Sequence, residues 1–422
     1  MFQIAKFNRT APYLSVLFTA LVASGCTTLQ EAVSVDEVVS VEPQIQTNDM
    51  PAPVTPVPES TSAPEVASVA KPQSPPSPRK DVVSDVVRKI SGGSGKPYEA
   101  GRSAVDRGDY VQAFKYFEKA IEQGDDRAIA EIGILYAEGK GVRKNYNKAV
   151  ELLRKAANKK VARAQGWLGH MYFNGWGVPR SVDEGLRLYK TAADAGETEF
   201  QVRLGELYLL GTEVDEDYQK AMTWFRKAAQ NGSSEGAYQL GKLYQGGIGV
   251  PKAPKQAVKW YKIAADNGHP RAQYQLGLMY FMGDGVAQDY EVAFQWYKMA
   301  AKQNLAEAQN SLGVMFAEGH GTKVSLKDSV KWYRSAAEQN NAEGQANLAT
   351  MYRYGLGVER DYVKAYMWYS LAAANFQETN VGLKFATNIS KDKLASEMSP
   401  RDLEKAQQLA IAWREKRLQE RR

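Results

Sequence analysis

The chain has 422 residues, with 54 basic and 48 acidic side chains, three histidines and one cysteine. A single cysteine excludes an internal disulfide, and so few histidines leave no paired ligand spacing for a metal centre. The nearly balanced charge is a mixed surface rather than a basic stripe, which argues against nucleic acid as a partner.

The amino-terminal element reads as an export signal. Lys6 and Arg9 precede an uncharged, largely apolar stretch from Thr10 to Ser24, shorter than the ~20 residues that cross a bilayer as a helix. It ends in Ala23-Ser24-Gly25-Cys26, and Cys26 is the one cysteine of the protein. These residues resemble the lipobox of bacterial lipoproteins, with Ala23 where leucine is commonest. The resemblance implies a signal peptide over 1–25, a diacylglycerol on Cys26, cleavage after Gly25 and acylation of the new amino terminus by a fatty acid such as palmitate. Several acyl chains make a stable anchor where one is marginal. Thr27, in place of an aspartate, implies an outer-membrane location facing the periplasm. An ordinary signal peptide followed by an unmodified cysteine is the alternative.

Residues 26–96 are expected to be a lipidated, proline-rich disordered tether. The stretch from Thr27 to Gly95 lacks aromatics and contains Pro51-Ala52-Pro53 and Ser74-Pro75-Pro76-Ser77-Pro78. Proline lacks an amide donor and favours extended chain, so this segment cannot bury a core of its own. Seven acidic and no basic residues fall between Thr27 and Ala70, which leaves the remainder more basic. Ser91-Gly92-Gly93-Ser94-Gly95-Lys96 is a hinge and not a phosphate loop: Ile90 stands where a glycine is required and Pro97 where a hydroxyl is.

From there a period of 36 dominates. Gly133, Gly169, Gly205, Gly241, Gly277, Gly313 and Ala349 recur at that interval, each followed three residues later by Tyr136, Tyr172, Tyr208, Tyr244, Tyr280, Phe316 or Tyr352. Trp224, Trp260, Trp296, Trp332 and Trp368 form a further column, and each unit reaches an Ala-Ala pair. A fixed period of this length means stacked supersecondary units. Ala272, Leu276, Met279 and Tyr280 have helical spacing, and Gly283 and Gly285 break that helix. A second helix starts at Asn145, Ser181, Asp217, Ala253, Asp289, Ser325 or Asp361, six of them good N-caps, while Ala253 is followed by Pro254. It ends at Gly196, Gly232, Gly268, Asn304 or Asn340, residues that tolerate a left-handed C′ position. Gly277 is expected to let its backbone approach the Ala264/Ala265 and Ala300/Ala301 ridges, and the repeated aromatics to be core rather than a ligand-stacking stripe.

These columns resemble the Sel-one-like repeat, a relative of the tetratricopeptide repeat, over seven units between about Gly124 and Phe376. The resemblance implies an all-α, right-handed α/α superhelical repeat solenoid. Residues 97–124, with Gly108-Asp109-Tyr110 and Phe117-Glu118-Lys119-Ala120, resemble a shorter tetratricopeptide-type capping unit. Residues 377–422 are expected to form capping helices, one starting at Ser399-Pro400-Arg401-Asp402 and burying Leu403, Ala406, Ala410 and Trp413 behind a polar back. The basic end, Arg414, Lys416, Arg417, Arg421 and Arg422, reads as a solvated terminus.

No catalytic constellation is visible. His170, His269 and His320 occupy different columns, so neither a metal nor a cofactor is expected and the chain reads as a non-enzyme. Cysteine-rich relatives linked to β-lactam binding have disulfides that this chain lacks, so that activity is not carried over. The variable columns lie two before, one after and five after the central glycine, roughly on one face. They give Trp167, His170 and Asn174; Arg203, Glu206 and Leu210; Gln239 and Lys242; Gln275, Leu278 and Met282; and Asn347, Thr350 and Tyr354. In tetratricopeptide relatives this helix lines the concave groove. Trp176 is a further off-pattern indole, and such residues are enriched at interfaces. Together these features point to an outer-membrane-anchored scaffold for envelope proteins, and the resemblance adds exopolysaccharide export or cell-wall machinery as the setting. Direct binding of a polysaccharide or peptidoglycan fragment is the alternative.

Overall fold

A computed structural model describes residues 97–377 and 380–420. The expected signal peptide with Cys26, the expected tether and the expected hinge before Pro97 lie outside those residues, as do Arg421 and Arg422.

The described residues form eighteen helices and no strand. α1 (Pro97–Asp106) and α2 (Tyr110–Glu122) come first. Seven pairs follow, beginning with α3 (Arg127–Glu138) and α4 (Tyr146–Asn158), α5 (Ala162–Asn174) and α6 (Val182–Asp194), α7 (Thr198–Leu210) and α8 (Tyr218–Gln230). Then come α9 (Ser234–Gly246) and α10 (Pro254–Asp266), α11 (Pro270–Met282) and α12 (Tyr290–Lys302). The pairs end with α13 (Ala306–Glu318) and α14 (Leu326–Glu338), α15 (Ala342–Tyr354) and α16 (Tyr362–Asn375). α17 (Val381–Ser396) and α18 (Pro400–Glu420) close the array on α16.

Local chemistry sets these boundaries. The side chains of Asn145, Ser181, Asp217, Asp289, Ser325 and Asp361 each accept from the amide three residues on, while Pro254 opens α10 after Ala253. Gly196, Gly232, Gly268, Asn304 and Asn340 hold φ of 99°, 88°, 83°, 64° and 63°. Lys160 holds 61° at the same column, a left-handed lysine that the sequence did not flag.

From α1 to α16 each helix packs on its neighbours in sequence, and α17 and α18 both pack on α16. First helices of neighbouring repeats also touch, α3 with α5, α7 with α9 and α13 with α15, and no two second helices approach as closely. The first helices therefore line the inside of the curve.

Of the expected aromatic columns, Trp224, Trp296, Trp368 and Tyr352 are buried, while Trp260, Trp332 and the other tyrosines and Phe316 are half-buried and packed against the core; a further column, Tyr261, Tyr297, Tyr333 and Tyr369, is buried. The expected contact of Gly277 with the alanine ridges is corrected. A Cβ on Gly277 would stand 2.8 Å from the ring of Tyr297. The same arrangement holds Gly241 against Tyr261 and Gly313 against Tyr333. The alanine pairs instead meet glycines nearer the helix start, Gly236 on Ala228 and Gly344 on Ala336.

A ladder of buried glutamines fixes the register between repeats. Gln201, Gln273, Gln309 and Gln345 donate to the carbonyls of Ala193, Ala265, Ala301 and Ala337 at 2.8, 3.1, 3.3 and 3.1 Å. Those carbonyls belong to the preceding repeat, and each glutamine accepts in turn from the end of the second helix of its own repeat, from Asn231, Gln303, Gln339 or Asn375. Both ends of each buried amide are thereby satisfied.

Two expectations for the carboxy-terminal cap are corrected. Ser399 does cap α18, and Ala406 and Ala410 are buried. However, Leu403 and Trp413 are only half-buried and α18 leaves Leu409, Ile411 and Leu418 exposed, so its back is not wholly polar; α17 buries Leu383, Thr387 and Leu394 and leaves Val381, Phe385 and Ile389 exposed. Arg417 is not simply solvated either: it donates to the carbonyl of Glu338 and pairs with Glu420 at 2.7 Å.

Candidate partner-binding face

The inner face is built from first-helix positions three and four residues apart, which share one side of a helix. Its amino-terminal part is an ion ladder. Glu131 is buried, and it receives Arg102 at 3.2 Å and Arg163 at 3.1 Å, with the Tyr98 hydroxyl donating at 3.2 Å. Burial and the charge of Glu131 push the Tyr98 phenol up to about 12. Arg163 also pairs with Glu199 at 3.3 Å. One repeat on, Glu235 takes His269 at 3.0 Å and the Gln239 amide at 2.6 Å, and the His269 bond holds its carboxyl below the usual range.

Some of the residues singled out by spacing come together here. Trp167 meets the edge of His170 at 5.5 Å, His170 meets Trp176 at 5.2 Å, and Trp176 stacks on Tyr146 at 5.1 Å. The His170 ring also bonds the Tyr189 hydroxyl at 2.8 Å, and burial followed by the charge of Arg203 lowers its pKa. Asn174 is exposed and donates to the His170 carbonyl. Arg203 and Glu206 form a surface pair at 3.0 Å, and Lys242 lies over the Tyr238 ring. Leu210, Met282 and Tyr354 are exposed, and Gln275 is half-buried.

Asn347 and Thr350 do not belong to an open face. Asn347 is buried and donates to Asn310 at 2.9 Å, and Thr350 is buried against the Tyr369 hydroxyl at 2.9 Å. His269 and His320 are structural as well: His269 caps α11, and His320 lies on the Tyr290 ring. Among the described residues no group of three or more His, Cys, Asp or Glu could hold a metal.

The carboxy-terminal part of the inner face opens into a cavity of about 480 Å³. Tyr274, Leu278 and Phe281 of α11, Glu307, Asn310, Ser311 and Val314 of α13, and Glu343 of α15 line it, together with Phe376 and Asn380. Of the residues chosen from sequence only Leu278 is among them. Ser311 occupies the column two before the glycine and lines the cavity with Tyr274 and Tyr297. Burial, and then the charge of Glu307, pushes the Glu343 carboxyl up to about 7. Glu307 and Glu343 lie six residues before the central position, one turn earlier on the same face, and nothing in their abundant residue type marked them.

Comparison with known proteins gives one repeat model along the whole array. The Sel1 repeat model matches residues 95–125, 126–161, 162–197, 198–233, 234–269, 270–305, 306–341 and 342–375, so the α1–α2 unit is itself matched as a repeat. The chain is similar, at 32% identity and a TM-score of 0.61, to c5321, a protective antigen present in uropathogenic Escherichia coli strains displaying an SLR fold. That similarity covers 76% of this chain and 68% of the other. A Sel1 repeat protein from Oxalobacter formigenes is 33% identical with a TM-score of 0.51, over 57% of this chain and 99% of the other. No curated protein matches the chain.

Proposed function

The chain belongs to the Sel1 repeat family, whose members mediate protein–protein interactions, and we propose that it is an outer-membrane-anchored periplasmic scaffold that holds envelope proteins along its inner face. Exopolysaccharide export or cell-wall assembly is the setting that the lipoprotein resemblance favours. The observation that carries the reading is the contrast between columns. Positions that face the second helices repeat and are core, whereas inner-face positions change character from repeat to repeat: an ion ladder, an aromatic group, then an acidic cavity. A stack that keeps its core and varies one face is suited to distinguishing partners by differences in affinity.

The glycan-binding alternative would use the inner-face indoles, and these are engaged within the protein. Trp176 lies flat on Tyr146, and Trp167 packs into the neighbouring core clusters. A sugar would have to displace those contacts to stack.

Arg203 and Lys242 are exposed on successive repeats. Their double replacement by alanine is expected to weaken partner capture from envelope extracts while shifting stability by no more than ~0.5 kcal/mol, the usual range for surface changes. Pull-down and thermal melting of the same preparation check this; full capture by the double variant would contradict it. Trp167 is unsuitable for that test because it is half-buried and its loss would also disturb packing.

A further inference from the structure

One inner-face column changes its charge logic along the array. Six residues before the central position stand Arg163, Glu199, Glu235, Arg271, Glu307 and Glu343 in successive repeats. Arg163 pairs with Glu199, and Glu235 with His269. Glu307 and Glu343 instead follow each other on α13 and α15, and among the described residues neither forms an ion pair. The bond that Glu343 does receive is a long one from the Asn310 amide, at 3.4 Å. Both carboxylates line the cavity of about 480 Å³.

Glu343 is half-buried and Glu307 beside it is exposed, so burial of Glu343 and the like charge of Glu307 both oppose ionisation of Glu343. A bound cation would reverse the balance, since the site already contains what a cation needs. The carboxylates supply charge, and Tyr274, Phe281 and Phe376 supply ring surface beside them. Asn341 adds an amide group able to bond a passing peptide backbone. Guanidinium suits the place better than ammonium, because its planar fork can serve two acceptors while lying against an aromatic wall.

We propose that the cavity between α11, α13 and α15 receives an arginine side chain from an extended segment of a protein partner, its guanidinium held by Glu307 and Glu343. The inference rests on the scaffold reading and gives that partner a chemistry: a basic residue presented on an extended segment. The occupant is a peptide rather than a free amine because the cavity opens from the inner face and amides line it beside the acidic pair.

The test uses the full chain in detergent and two fluorescein-labelled peptides, Gly-Ser-Ala-Arg-Ala-Ser-Gly and the same peptide with neutral citrulline for arginine. The arginine peptide is expected to bind about tenfold tighter, the effect of one partly desolvated charge pair. Glu307→Gln with Glu343→Gln should abolish that preference. Affinity for the arginine peptide should also rise between about pH 6 and about pH 8, as Glu343, faced by Glu307, Tyr274 and Tyr297, becomes ionised. The double variant should melt no lower than the parent at about pH 8, because it removes a repulsion, so lost binding there is not lost folding. Equal affinity for both peptides, binding of neither, a preference that survives in the double variant, or agmatine binding as tightly as the peptide would each overturn the assignment. Envelope crosslinking separates this result from the scaffold reading: partners captured equally by parent and double variant overturn the cavity assignment and leave the scaffold in place.

Discussion

Replacement of Gly277 by leucine is expected to destabilise the middle of the array by about 1–3 kcal/mol, the usual cost of overpacking, and more if the neighbours cannot yield. They have little room to do so. The added Cβ would stand 2.8 Å and 2.9 Å from two ring carbons of Tyr297, which is itself buried. Behind that ring lies Tyr274, with centroids 5.6 Å apart. Retreat of Tyr297 would therefore disturb the wall of the acidic cavity as well as the core. The α3–α4 unit indicates how the defect can be relieved. There Gly133 faces Leu153, whose nearest atom would lie 3.0 Å from an added Cβ. Tyr297→Leu should thus restore part of the stability lost in Gly277→Ala. Because repeat arrays unfold by neighbouring units, hydrogen exchange along α11 and α12 reports the loss more directly than one melting midpoint. Unchanged exchange in Gly277→Leu would contradict the packing described.

Cys26→Ser is expected to have a complete effect on location: loss of the chain from the membrane fraction. The proposed lipidation joins a diacylglycerol to sulfur, and a serine hydroxyl is not that acceptor. Each buried methylene contributes about 0.8 kcal/mol to anchoring, so losing every chain leaves nothing comparable to hold the protein. No described helix is long and apolar enough to cross a membrane in its place. Fractionation with labelled palmitate checks the expectation. Label entering the Cys26→Ser protein, or an unchanged membrane fraction, would overturn lipidation at this residue.

Much of the fold was legible in sequence because its determinants are local and repeated. An N-cap such as Asp289 needs only the amide three residues on, and a left-handed Asn304 needs only its own backbone. Where position depends on how helices meet, the sequence was less explicit. Both the alanine pair and Tyr297 sit on the second helix, and only the packed register decides that the ring, not Ala300 or Ala301, covers Gly277. The same limit explains the site. Spacing placed Trp167, His170 and Leu278 on one face, yet burial of Asn347 depends on Asn310 one repeat earlier, and burial of Thr350 depends on Tyr369. The cavity was invisible because its lining includes Phe376 and Asn380, beyond the last regular repeat, and because two glutamates 36 residues apart carry no signal until neither is found in an ion pair among the described residues.

The central claim is that partners lie along the inner face. Its most direct test places a photo-crosslinking amino acid, one position at a time, at Gln275 and Ser311 on the first helices and at Gln295 and Lys331 on exposed positions of the second helices. After irradiation of intact cells, the inner positions should yield discrete protein adducts and the outer positions should not. Adducts confined to Gln295 and Lys331 would contradict the account and move the binding surface to the outside of the curve.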